Sequence, residues 1–265
     1  MWLPTRRKVS SGKCDVSPIG ARRDHGKTPS SVAGAVMKEV VVERFVEFIR
    51  HSESFDLAYE QMIFRGQAKR GNLLPGIARD NPTRDTTALE KKCLQKMRLL
   101  GASLLPREES DLDLLIRAQH FGLQTRLLDW TSNPLAALWF ACSDRGPGDV
   151  YVYGLAADSF LHSMSVYDES PFKVAKTRAL QPRLNNPRVI AQDGWFTLHR
   201  YSGKAKRFVS LEDNPDSSQY LYEYRIPEKR RAEMLASLDR HGVSSRTLFP
   251  DLEGLCRYLN WRNSL

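Results

Sequence analysis

Between positions 119 and 141 the chain reads QHFGLQTRLLDWTSNPLAALWFA, and no other stretch restricts its folding so tightly. Gln119-His120-Phe121-Gly122 closes a helical pattern, because glycine suits the left-handed position that stops a helix. Thr125 to Trp130 is a short apolar stretch carrying Arg126 and Asp129, opposite charges that a core does not hold singly. Asp129 is therefore expected to be the buried partner of Arg126. Thr131-Ser132-Asn133-Pro134 is a helix start, a hydroxyl or amide cap followed by proline at the first helical position. The helix it opens places Leu135, Leu138, Trp139 and Cys142 on one apolar face. A loop of Thr, Ser and Asn with free N–H groups, held between two packed elements, is a natural place for a polar ligand.

On either side the pattern is mixed. The ordered chain is expected from about Glu39, with Val42, Phe45, Val46 and Ile49 on one helical face. Residues 61–64 are a short apolar strand, followed by Arg65 and by Gly66, where the backbone is free to turn or approach a ligand. Residues 86–105 predict a helix with Leu89, Cys93, Met97 and Leu100 inward; its lysines, with Glu90 among them, form a solvated face. A helix over 111–120 puts His120 at its end, within reach of a terminal carbonyl. Residues 149–155, 188–191, 195–199 and 220–226 read as strands, with Gln192-Asp193-Gly194 as a bend between two of them. Residues 156–187 form a long connection. Helices are expected over 227–240 and around Leu252, Leu255, Cys256 and Leu259. With no regular strand–helix alternation, the class is α+β: one domain of mainly antiparallel strands with flanking helices.

The net charge of +9 suggests nucleic acid only until it is located. Residues 1–38 hold eight basic residues against Asp15 and Asp24, which is +6 of the +9. This tail is rich in Ser, Gly and Pro and is expected to be disordered, with at most non-specific attraction to phosphate. Its composition also resembles a transit peptide, while the apolar core of a secretory signal is missing. No apolar run is long enough for a membrane span. Cys14, Cys93, Cys142 and Cys256 lie far apart, three of them within apolar patterns, so they read as buried free thiols in a reducing, cytoplasmic setting, without a zinc site. Dinucleotide, P-loop, zinc-protease and serine-hydrolase motifs are missing.

Phe64-Arg65-Gly66, AQHFGLQTRLLDWTSNPLAALWFA, Asn186-Pro187-Arg188 with Gln192-x-Gly194-x-Phe196, and Leu248-Phe249-Pro250-Asp251-Leu252 together resemble the FRG domain family. Gln124 stands where that family usually has proline. The resemblance implies one domain over most of residues 40–260, of a kind found mainly in bacteria and phages. More distantly, strand-Arg65-Gly66, then Thr131-Ser132 before a helix, then a strand-turn element, resemble ADP-ribosyltransferases of the Arg/Ser-Thr-Ser/Glu type. That resemblance implies Arg65 and Gly66 at the NAD phosphates and Thr131 and Ser132 at the nicotinamide side. It places the catalytic position at Gln192, with Asp193 beside it, or Asp129, as the carboxylate able to supply charge; His120, Arg126, Asp129 and Trp130 read as structural neighbours of the site. The Gln at 192 departs from that family's Glu, since a carboxamide bonds a hydroxyl but does not neutralise an oxocarbenium ion.

Three readings follow. The first is an NAD-consuming transferase or glycohydrolase, a toxin or defence factor, with NAD as substrate, no permanent cofactor, and a protein or nucleic-acid acceptor. The second is a non-catalytic nucleotide- or nucleic-acid-binding domain. The third is an interaction module in which Arg126, Asp129 and Trp130 serve packing alone. No membrane partner is expected.

Overall fold

Seven strands pair side by side into one sheet. Numbered by chain order, their spatial sequence is β1 (Lys38–Val41), β9 (Leu221–Ile226), β4 (Val150–Ala156), β2 (Met62–Gln67), β3 (Leu127–Thr131), β6 (Gly194–Leu198) and β5 (Arg178–Leu180). Every neighbouring pair is antiparallel except β1 with β9. The molecule is thus α+β with a mainly antiparallel sheet. The computed structural model describes residues 38–54, 59–161, 169–183 and 186–265, all within one compact unit, Ala35–Leu265. The expected disorder of the basic tail concerns residues outside these, apart from Lys38, which opens β1.

Strand alternation sends neighbouring residues to opposite faces. Met62 and Phe64 pack beneath α1 (Phe45–Glu53), α5 (Pro134–Cys142) and α7 (Arg231–Arg240) with Ala137, Leu138, Val152 and Tyr224. Ile63, Leu128, Trp130 and Trp195 pack on the reverse face with Tyr153 and Phe160. Leu127, Phe196 and Leu198 meet α3 (Thr87–Leu100) and α4 (Asp111–His120) through Leu94, Leu112 and Leu115. Three short helices and one longer one complete the unit: α2 (Gly76–Arg79), α6 (Pro187–Ala191), α8 (Ser245–Leu248) and α9 (Leu252–Arg262). A two-stranded ribbon of β7 (Tyr201–Ser202) and β8 (Arg207–Phe208) stands apart. No helix among the described residues is long and apolar enough to cross a membrane.

The 119–141 run folds as its punctuation suggests. Gly122 stands at φ +90° after α4, and Asn133 Oδ1 accepts from Leu135 N (3.0 Å) and Ala136 N (3.2 Å) at the start of α5. Gly66 proves to be a packing position. A Cβ there would stand 1.9 Å from the Ala137 carbonyl oxygen and 2.6 Å from the Ala141 nitrogen, so β2 lies against the bare backbone of α5.

Four expectations are corrected. A strand, β1, precedes the first helix; Val42 enters the core before α1 begins, and Val46 is half exposed. Residues 188–191 form α6, because Asn186 caps Arg188 N (2.8 Å) with Pro187 at the first helical position. On α3, Leu89 and Leu100 face outward while Glu90 is buried, which rotates the inner face by one residue. The cause is Arg126. Its guanidinium, 1% exposed, pairs with Glu90 (Nε–Oε2 2.7 Å), and the Arg126 N–H donates to Glu90 Oε1 (2.8 Å). Arg126 also donates to Thr87 Oγ1 (3.0 Å) and lies over the Phe172 ring at 4.5 Å. Asp129, expected as its partner, instead has a side chain 65% exposed. Burial holds the Glu90 carboxyl above its usual range and Arg126 draws it back down.

Replacing Glu90 by Ala should therefore lower unfolding free energy by about 3–5 kcal/mol in urea titrations, since Arg126 is left buried and unpaired. Asp129→Ala should change it by no more than about 1 kcal/mol, as an exposed pair does. Gly66→Ala should cost at least about 1–3 kcal/mol by the same measurement, because the atoms in the way are backbone.

Candidate functional site

β2 and β3 meet through a single residue pair, Phe64 with Thr131, whereas β3 pairs with β6 along its whole length. Beyond that pair the two strands part. Arg65 fills the parting: Nη1 donates to the Asp129 carbonyl oxygen (2.8 Å), where a ladder bond would otherwise run, and Nε donates to Gln67 Oε1 (3.1 Å). The Arg65 side chain is only 16% exposed, and its nearest carboxylate among the described residues, Asp129 Oδ2, stands 4.0 Å from Nη1. Nη2 has no partner among the described residues. Burial pulls the Arg65 pKa down, Asp129 pushes it back up, and Arg79 pulls it down again. A guanidinium stays protonated under such shifts, so the charge persists.

Over this parting lies a cleft of about 380 Å³. Its floor is β2, β3 and β6, through Gly66, Asp129, Thr131 and Phe196 among others. Its walls are α4, with Gln119 and His120, Phe140 of α5, and α6 with its C-cap, through Arg188 and Gln192. Arg188 rests on the Phe249 ring at 4.3 Å. Its pKa is lowered first by burial, then by Arg257, with Asp251, Glu253 and Asp129 acting the other way. Asp129 thus sits in the field of both cleft guanidiniums. His120 is held below its usual value by burial first, then by Arg188 and Arg117, so it is neutral at pH 7. Its expected bond to a helix-end carbonyl is replaced by a long contact to Asn186 Nδ2 (3.4 Å). Asn186 Oδ1 already accepts from Arg188 N, which leaves its amide N–H to donate to His120 Nε2.

The structure gathers Arg65, Gly66, His120, Asp129, Trp130, Thr131 and Gln192 around this cleft, and keeps Arg126, Ser132 and Asp193 out of its lining. Several of the polar groups are already engaged. The Thr131 hydroxyl donates to the Gln192 carbonyl (2.6 Å) and accepts from Asn133 N (2.9 Å). Ser132 N donates to the Asp193 carbonyl (3.0 Å), and Asp193 itself stands at φ +45°. The Thr-Ser-Asn loop therefore clamps the 192–193 turn to the start of α5. Gln192 Nε2 donates to the Leu248 carbonyl (3.0 Å), which leaves its Oε1 as the acceptor.

The Trp130 indole belongs to the reverse-face core, where its N–H donates to Thr197 Oγ1 (3.0 Å). That hydroxyl in turn meets His199 Nε2 (3.0 Å). Burial, then Arg65, then Arg126 push the His199 pKa down to about 3. Cys142 is pushed up to about 12 by burial and is inert as a nucleophile, while Cys256 is exposed and Cys93 half-buried.

Sequence reasoning missed Arg188, Phe140 and the role of Gln119. The Asn186-Pro187 pair, the same cap signature as Asn133-Pro134, would have revealed α6 and with it Arg188. Nothing local marks Gln119, whose partners lie six and ten residues further on.

An α+β sheet opened between two strands, with a cationic cleft at the opening, is the class of protein defined here. The family model of the FRG domain matches residues 60–149, the stretch from β2 to α5, so over that stretch the chain is similar to the FRG domain. Arg65, Gln119, His120, Asp129, Thr131 and Phe140 fall inside that match; Arg188 and Gln192 fall outside it. No curated protein and no solved structure matches the chain.

His199 offers a test of the charge around the site. The unfolded chain takes up a proton near pH 6.5, and the folded protein does not until about pH 3. Stability from the neutral imidazole is complete above pH 6.5 and is lost as pH falls through that window. Between pH 6 and 4 the wild-type unfolding free energy should drop by about 1.4 kcal/mol per pH unit more than that of His199→Gln, measured by urea denaturation.

Proposed function

We propose that the cleft binds an anionic nucleotide, NAD in the first instance, through Arg65 and Arg188, and that Asp129 is the carboxylate facing its ribose. The observation that carries this reading is the guanidinium of Arg65. It is largely withdrawn from water, its nearest carboxylate is exposed and 4.0 Å away, and Nη2 is unspoken for. A buried cation with so weak a counter-charge favours an anionic ligand, and a pyrophosphate matches the guanidinium fork. Arg188 adds a second positive charge on the facing wall.

The reaction implied is cleavage of the bond between ribose and nicotinamide. Nicotinamide departs as the neutral base with the bonding electron pair, positive charge grows on the ribose, and a carboxylate lowers that barrier. Asp129 lines the cleft with such a group, and Gln192 Oε1 is an acceptor for a ribose hydroxyl. Water or a protein or nucleic-acid nucleophile then attacks the ribose carbon and gives up its proton. A binding-only reading draws on one observation: the Thr131 hydroxyl and the Gln192 amide N–H are already occupied within the protein.

One experiment tests both: titrate purified protein with NAD in a calorimeter and follow nicotinamide release chromatographically. Arg65→Lys should weaken NAD binding by about tenfold or more, as loss of charge-assisted hydrogen bonds does. Asp129→Asn should still bind NAD while release falls by about a hundredfold. Saturable binding with no release supports the binding-only reading. Absence of NAD binding by the wild-type protein, or unchanged affinity in Arg65→Lys, overturns the proposal.

A further inference from the structure

Asp129 is exposed, and water alone would satisfy its carboxylate, yet it is held from below by a hydrogen-bond relay anchored in the core. The relay starts at the Leu127 N–H, which donates to Thr125 Oγ1 (3.1 Å). Thr125 is buried, and its hydroxyl, already an acceptor, donates its own proton to Gln119 Oε1. Gln119 Nε2 then donates to Asp129 Oδ1 (2.7 Å). Each step fixes the next. With Oε1 committed to Thr125, the amide of Gln119 has one orientation; the flipped one would set its oxygen against a carboxylate oxygen and its N–H₂ against a hydroxyl proton.

We infer that Gln119 is a positioning residue, which, through Thr125, fixes the rotamer of Asp129 so that Oδ1 is held and Oδ2 is turned to the ligand. The inference rests on the reading of the cleft as a site of nicotinamide release. Gln119 acts from the last turn of α4, so the helix sets the distance, and Thr125 acts from the residues that lead into β3. Two elements therefore hold one exposed carboxylate at the parting of β2 and β3, beside Arg65. A carboxylate free to rotate would spend much of its time hydrated and turned from the ribose, and misplacement of this order slows a reaction without weakening binding.

The test is steady-state nicotinamide release by Gln119→Leu, Gln119→Glu, Thr125→Val and Thr125→Ser, with site concentration set by calorimetric NAD stoichiometry. Gln119→Leu and Thr125→Val should lower kcat by about ten- to a hundredfold while KM stays within about twofold. Gln119→Glu keeps an acceptor for the Thr125 hydroxyl but sets a second carboxylate against Asp129, so it should be as slow or slower. Thr125→Ser, which retains the hydroxyl, should restore most of the rate. A structural role alone would lower the number of binding sites and leave kcat per site intact. Wild-type turnover with unchanged kcat in both Gln119 variants overturns the inference and leaves the reading of the cleft standing. No turnover by the wild-type protein overturns both.

Discussion

The contact between Gly66 and α5 sets the geometry of the rest. Because position 66 has no side chain, the helix backbone lies directly on β2, and a single methyl group would collide with Ala137 and Ala141. α5 is in turn fixed at its start by the Asn133 cap and by the Thr131–Gln192 clamp. The strand before Gly66 and the strand before the cap are therefore both tied to one helix. Their only residue pair, Phe64 with Thr131, leaves room beside it for the Arg65 side chain. Cleft and cation both follow from that close approach.

The domain solves the burial of an arginine twice, in opposite ways. Arg126 is sealed with Glu90, Thr87 and its own N–H donating to the same carboxylate, a closed arrangement that anchors α3 to the edge of β3. Arg65, 16% exposed, meets among the described residues only main-chain oxygen, a glutamine and a distant exposed carboxylate. Removing a charge from water costs several kcal/mol per ion unless partners replace the hydration. In Arg126 that demand is met inside the protein. In Arg65 part of it is unmet among the described residues, and the proposed anionic ligand would supply the rest.

Short-range chemistry made much of this fold legible. Gly122, Asn133-Pro134 and the alternation over 149–155 act through neighbours within a few residues, and each corresponds to the expected element, the strand as β4. The FRG resemblance rests on four separate motifs, each short and local, and the family match covers Phe64-Arg65-Gly66 and the central run. The failures share a cause. At 188–191 the β-branched Val189 and Ile190 favour a strand, a weak preference that the Asn-Pro cap overrides. Glu90 stands on a lysine-rich face where acids are usually solvated, and its partner 36 residues away reverses that. Asp129 is expected beside Arg126 because a core does not hold opposite charges singly. Strand alternation, which sends odd and even residues to opposite faces, points the two side chains apart.

What the sequence determined by itself was the α+β class and the helix stop and start around the 119–141 run. Those depend on local backbone preferences and on periodicity, which a chain carries wherever it goes. Only the tertiary structure decided which arginine is sealed and which is left wanting a counter-charge. It also decided that Gln119 reaches Asp129 and that Arg188 faces Arg65 across a cleft. The reason is physical: burial and pairing of charge are set by the segments that pack around a residue, and those segments come from far along the chain.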